Sequence, residues 1–204
     1  MALPTPHFEQ EDVEALASLG QCLKQAMLRS KMISALFCGK RTHRKAVETF
    51  LDQDSLAALN RLGIVVEMGS VLVSKFSARV IEDKILFSDL RTAKARRDEF
   101  FLDPLWEAPT FTCLLARGEG GTALDVGCGC GALSIVMSDY CTSVVGVDIN
   151  PRAIRMSKFN ALLNGVNNVK FLMSDLFNAV SDQSFDRILL SQYASTKLCT
   201  FSAR

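Results

Sequence analysis

The twelve residues Leu124–Ile135, LDVGCGCGALSI, constrain the fold more than any other stretch of the chain. Gly127, Gly129 and Gly131 alternate with Cys128 and Cys130, directly after an apolar run ending in Asp125 and Val126. An apolar run that enters a loop of small residues and then an apolar helical pattern is the start of a strand–helix unit in a parallel sheet. The downstream sequence repeats the alternation. TALDV reads as a buried strand, ALSIVMSDY as a helix and SVVGVD as the next strand. A second helix follows, with Asn150 as cap, Pro151 at its first position and Gly165 beyond its end. VKFLMSD and FDRILLS supply a third and a fourth strand. The expected class is α/β, a doubly wound parallel sheet with helices packed on its faces.

In such sheets ligands bind at the carboxyl ends of the strands, beside the point where the strand order reverses. Glycines there let the backbone approach a ligand that a Cβ would repel. The helix that follows presents unpaired N–H groups. The loop therefore suits a nucleotide-like or amino-acid-like cofactor. Carboxylates sharpen the choice: Asp125 stands two residues before Gly127, Asp148 closes the second strand and Asp175 the third. Asp148 is placed to accept hydrogen bonds from both hydroxyls of a ribose, and Asp175 to face an adenine amino group. Acids at three successive strand tips describe a pocket for a positively charged adenosine derivative and would serve a pyrophosphate poorly. A nicotinamide dinucleotide is the competing ligand, because Gly127, Gly129 and Ala132 also fit G-x-G-x-x-A with Asp148 following at the expected distance. Cys128 and Cys130 form C-x-C, but a zinc site needs more ligands, and the histidines, His7 and His43, are remote in sequence. No metal site is expected.

LDVGCGCG, VVGVDINPRAI and NVKFLMSDLF, in that order, resemble the first three motifs of the class I S-adenosylmethionine-dependent methyltransferases. Together with FNALLNG they are most similar to the subgroup that includes release-factor glutamine methyltransferases and ribosomal-RNA guanine methyltransferases. The resemblance implies S-adenosylmethionine as cofactor. Its methionine part would lie on the backbone of Gly127, Cys128 and Gly129, with Asp125 near the ammonium and Gly131 allowing the helix a close approach. Asp148, with Ile149 beside it, would hold the ribose, and Asp175 and Leu176 the adenine. The implied acceptor is an amino or amide nitrogen on RNA or protein. In that subgroup the fourth strand ends in Asn-Pro-Pro and an aromatic residue. Here Gln192 and Tyr193 occupy those places and both prolines are missing, so Gln192 and Tyr193 are the candidate catalytic residues. The chain stops at Arg204, before further strands of the family domain. The expectation is an incomplete sheet of four strands, and a truncated methyltransferase with weak or absent turnover. A non-catalytic partner-binding module with a vestigial cofactor site is the other class kept open.

The first part of the chain reads differently. Val13, Leu16, Gly20, Leu23 and Met27 keep helical spacing, a second helix is expected over Thr42–Leu51, and a third over Ser55–Leu62 with Asp54 as cap and Gly63 as stop. IVVEM, Gly69-Ser70 and VLVSKF then read as a hairpin. Residues 1–89 are expected to form a mainly helical, winged-helix-like module. Residues 90–119 would be a connector with a docking helix capped by Thr110, and residues 120–204 the cofactor domain. The formal net charge of +1 hides a stretch from Leu16 to Val47 with Lys24, Arg29, Lys31, Lys40, Arg41, Arg44 and Lys45 and no acid. Arg91, Lys94, Arg96 and Arg97 form a second cluster. Both could meet an RNA or protein substrate or simply be solvated. The N-terminal sequence has neither the basic nor the apolar segment of a secretory signal. Seven irregularly spaced cysteines suit reduced thiols, and no apolar run is long enough for a membrane span. A cytoplasmic location is expected.

Overall fold

The computed structural model describes residues 5–8, 13–90 and 120–190. The chain divides into two compact units, Met1–Asp103 with Leu162–Gly165, and Pro104–Ala161 with Val166–Arg204. Among the described residues, no helix is long and apolar enough to cross a membrane.

The first unit begins with α1 (Val13–Arg29), which buries Leu16, Leu19, Gly20, Leu23, Ala26 and Met27 on one face. Its Glu14 and Arg29 stand at the ends where the helix dipole favours their charges. Ser30 then caps a short helix, α2 (Lys31–Leu36), by accepting the N–H of Ile33. Helix α2 has no counterpart among the expected elements. The helix expected over Thr42–Leu51 is replaced by a two-residue strand, β1 (Thr42–His43), and a single turn, α3 (Arg44–Val47). Thr42 and His43 pair with Leu72 and Val71 far downstream, so a non-local ladder overrides the local helical pattern. Helix α4 (Gln53–Arg61) is capped by Asp52 rather than Asp54: the Asp52 carboxylate accepts the N–H of Ser55 at 2.7 Å, and Asp54 lies in the first turn. Gly63, at φ +70°, ends the segment as expected.

The hairpin of β2 (Val65–Met68) and β3 (Val71–Ser74) completes an antiparallel sheet in the order β1-β3-β2. Helices with one intervening strand are thus followed by a two-stranded hairpin. A second hairpin, β4 (Phe76–Ile81) with β5 (Lys84–Asp89), turns through Glu82 and Asp83, both at positive φ. The core joins these pieces through Leu23, Ile33, Leu36, Phe37, Phe76 and Phe87, with Phe37 edge-on to Phe87 at 5.4 Å between ring centres. Within the basic stretch, Lys24 is paired with Asp83 at 2.9 Å, and Arg44 with Glu48 and Glu67 at 2.7 and 2.6 Å.

The second unit contains β6 (Thr122–Val126), α5 (Ala132–Met137), β7 (Ser143–Asp148), α6 (Pro151–Leu163) except its last two residues, β8 (Val169–Met173), a 3₁₀ turn (Asn178–Val180) and β9 (Arg187–Leu190). The four strands are parallel and lie in the order β8-β7-β6-β9. Chain order therefore runs outward from β6 to β8 and then returns to the other side of β6, which is the reversal that opens a ligand crevice. Alternation along the strands sends Ala123, Val144 and Leu189 to one face, against Leu133 and Met137 of α5. Leu124, Val126 and Val147 face the opposite side, under Val180 and Phe185. At the entry to the sheet the Asp186 carboxylate accepts both the N–H and the hydroxyl of Thr122, at 2.7 and 3.0 Å. The Arg187 guanidinium donates to the Gly120 carbonyl at 2.7 Å.

Candidate cofactor site

The loop between β6 and α5 is shaped by its glycines. Gly127, Gly129 and Gly131 have φ of +77°, +55° and +81°, a region that a side chain resists. Their surroundings differ. A Cβ on Gly131 would stand 2.7 Å from the Ser157 Cβ and 2.9 Å from the Phe171 ring, so this glycine exists for close packing against α6 and β8. A Cβ on Gly129 would meet nothing within 4 Å, so this glycine faces open space. Gly146 in β7 repeats the first case, since a Cβ there would lie 2.7 Å from Phe171 and 2.9 Å from the Ser134 hydroxyl.

The loop's N–H groups are largely engaged by the protein itself. Those of Gly127 and Cys128 both donate to the Val147 carbonyl, at 2.8 and 2.9 Å, and that of Gly131 donates to the Cys128 carbonyl at 2.8 Å. The Gly129 N–H donates to Asp148 Oδ2 at 2.9 Å. Asp148 Oδ1 in turn accepts the Asn150 N–H at 2.8 Å, so one carboxylate ties the loop after β6 to the loop after β7. Asn150 then caps α6 by accepting the Arg152 N–H, with Pro151 first in the helix, as expected.

Asp125 lies beneath this loop. Register places it in a row with Phe171, Gly146 and Leu189 across the sheet. It is fully buried; Oδ2 accepts the Ser134 hydroxyl at 2.6 Å, and Oδ1 has no hydrogen-bond partner. Burial pushes its carboxyl up to about 6; the Ser134 hydrogen bonds oppose this and the charge of Asp148 adds to it. Desolvation also pushes the Cys128 thiol well up, and both carboxylates add to that shift, so Asp125 and Asp148 share one electrostatic neighbourhood around Cys128. The buried thiols of Cys128 and Cys130 fill the inside of the loop. Among the described residues no group of three or more metal-ligating side chains forms.

At the third strand, Ser174 continues the ladder, its N–H donating to the Asp148 carbonyl at 2.9 Å, while its hydroxyl accepts the Ala179 N–H at 3.0 Å. Asp175 is exposed and its carbonyl accepts the Asn178 N–H, so it opens the turn that follows. Leu176 sits at φ +49°. Ile149, Met173, Leu176 and Phe177 are 68, 63, 49 and 43% exposed, four bare apolar side chains at or just beyond the ends of β7 and β8. Gln192 and Tyr193 lie outside the described residues, as do Thr110 and the cluster from Arg91 to Arg97. Two buried polar residues escaped the sequence reading: Ser134, which bonds Asp125, and Asn160, whose amide donates to the Cys130 carbonyl at 2.9 Å. The signal for Asn160 was its place on the buried face of α6, one turn after Met156 and Ser157.

Residues 117–201 match the family described as a methyltransferase domain. This stretch, less than half of the chain, is similar to methyltransferase domains. A release factor glutamine methyltransferase of Fusobacterium nucleatum is 38% identical over 79 residues, which cover 37% of this chain and 22% of that protein. A putative protein N5-glutamine methyltransferase of Methanocaldococcus jannaschii is 45% identical over 69 residues, 33% of this chain and 34% of the relative. A 23S rRNA uracil-C(5) methyltransferase of Alkalilimnicola ehrlichii is 38% identical over 82 residues, 38% of this chain and 18% of the relative. The matched stretch thus spans about a fifth to a third of these relatives' lengths.

The methyltransferase cofactor is S-adenosylmethionine, and the residues present fit it. Gly129 leaves room beside the loop, the buried Asp125 Oδ1 has an unmet acceptor, and two carboxylates flank the place where a sulfonium and an ammonium would add positive charge.

Proposed function

We propose that this chain binds S-adenosylmethionine at the tips of β6, β7 and β8 and directs its methyl group to an amino or amide nitrogen of an RNA or protein substrate. The observation that carries the reading is the Asp148 carboxylate. It fixes the cofactor loop through Gly129 and the second loop through Asn150, while the lone pairs it retains can take the ribose hydroxyls. Asp125 supports the same reading from below, as a buried acidic floor under a cationic ligand. Ile149 and Leu176, both exposed, would offer apolar surface to an adenine, and Asp175 would meet its amino group. When bound, the cofactor supplies an electrophilic methyl carbon that needs no acid to free its leaving group. The chain's own task is alignment of the acceptor with that carbon. Gln192 and Tyr193 are the residues assigned to it: the Gln192 carbonyl would accept from the acceptor's amino group, and the Tyr193 ring would pack over it.

Isothermal titration with S-adenosylhomocysteine and with NAD⁺ tests the cofactor. Saturable binding of the first and no response to the second is expected, and the reverse pattern overturns the proposal. Tritium transfer from labelled S-adenosylmethionine to RNA and to protein fractions, with and without Gln192→Ala, tests the acceptor class. The named relatives that modify glutamine support the nitrogen reading. Lys31, Lys40, Arg41 and Lys45 remain exposed in the first unit, and we assign the substrate's acidic partner surface to them. Transfer that weakens as salt rises is the expected signature.

A further inference from the structure

We propose that Asn160 is a positioning residue for the cofactor loop, acting through the Cys130 carbonyl; this rests on the cofactor reading above. Asn160 is fully buried in the interior of α6, where an amide is an expensive choice unless it is bonded. Its Nδ2 donates at 2.9 Å to a carbonyl 30 residues upstream, in the middle of the loop. That carbonyl belongs to Cys130, between two glycines at positive φ. Glycines on both sides leave the neighbouring peptide planes little steric reason to keep one orientation. The fixed orientation comes from bonds at either end of the Cys130–Gly131 peptide. The Gly131 N–H is held by the Cys128 carbonyl, and the Cys130 oxygen by Asn160. Rotation of that peptide would break both. Packing localises the effect: Ser157, one turn earlier on α6, stands where a Cβ on Gly131 would collide with it. Helix α6 thus holds the loop by shape at Gly131 and by a hydrogen bond at Cys130.

The loop faces the amino-acid half of the cofactor, whereas the adenosine half rests on Asp148, Ile149 and Asp175. Loss of the Asn160 donor should therefore weaken one half of the ligand and spare the other, which a general loss of packing would not do. The experiment is titration of the full chain, as wild type, Asn160→Leu, Asn160→Ala and Asn168→Ala, with S-adenosylhomocysteine and with 5′-methylthioadenosine, which lacks the amino-acid group. Asn168 is the structural control, because its amide bridges the Ser138 and Cys141 carbonyls at 2.9 and 3.1 Å, away from the loop. The Asn160 variants are expected to bind S-adenosylhomocysteine about tenfold more weakly or worse, with 5′-methylthioadenosine changed by less than about twofold. Asn168→Ala is expected to lower the melting temperature while keeping the ratio of the two affinities. Equal losses for both ligands in the Asn160 variants, or no loss for either, overturn the proposal. So does a chain in which neither Asn160→Leu, which keeps side-chain volume, nor Asn160→Ala folds. Wild-type chain that binds neither ligand removes the cofactor reading itself, an outcome distinct from the others.

Discussion

Burial makes the charge of Asp125 costly to the fold. Its carboxyl is held at about 6 in the folded chain against 3.8 in the unfolded one, because burial penalises the charge. The folded state therefore binds this proton more tightly. Below about pH 4 the group is protonated in both states and has no effect on stability. Between there and about pH 6 the unfolded chain has released this proton while the folded chain still holds it, so stability falls as pH rises, and above about pH 6, where both states are ionised, it levels off. The full penalty is on the order of 3 kcal/mol. Asp125→Asn keeps an acceptor for Ser134 and removes the titration. Thermal melts across pH 4–8 should show the wild type losing stability relative to this variant, with Asp125→Asn the more stable at pH 7.5. The same variant should bind S-adenosylhomocysteine more weakly, since its negative floor is gone. The position of Asp125 was legible from its place before three glycines. Its burial was not, because that depends on Ser134 and on the row of Phe171, Gly146 and Leu189, which chain spacing does not reveal.

Elements were readable where local rules and tertiary contacts agree. Helices α1 and α6 and strands β6 to β8 each carry a complete local signal, an apolar period with a cap, a proline or a stopping glycine, and each lies where that signal puts it. The disagreements sit where the signal is short. Two residues cannot display a strand's alternation, so β1 was hidden inside a helical pattern until Leu72 and Val71 came to pair with it. Asp52 and Asp54 are both good caps at the start of α4, and only the 2.7 Å bond to the Ser55 N–H decides between them. The two can be separated by experiment: Asp52→Ala should lower stability by about 1 kcal/mol in chemical denaturation, and Asp54→Ala by clearly less. Hydrogen bonds from Ser55 hold the Asp52 carboxyl below its ordinary range. This cap therefore contributes above the ordinary carboxylate range and is lost as pH falls through the lowered value.

For the molecule as a whole, the strand order β8-β7-β6-β9 has a consequence for how the site comes into being. Strand β6 carries the glycine loop, yet one of its two neighbours, β9, is supplied from the far end of the described chain. Leu189, 3% exposed and in register with Asp125, is the contact through which that late strand reaches the floor of the site. Leu189→Ala should cost about 2–4 kcal/mol and, unlike Asp52→Ala, should also weaken S-adenosylhomocysteine binding, read by melting and titration of the same samples. The stitch at the strand entry, from Asp186 to Thr122 across 64 residues, makes the same point in hydrogen bonds. During synthesis, a growing polypeptide would have its ligand loop, both flanking helices and two of the partner strands in hand while one flank of β6 still stood bare to water. Competence to hold a small molecule would then switch on late, with the arrival of a four-residue ribbon.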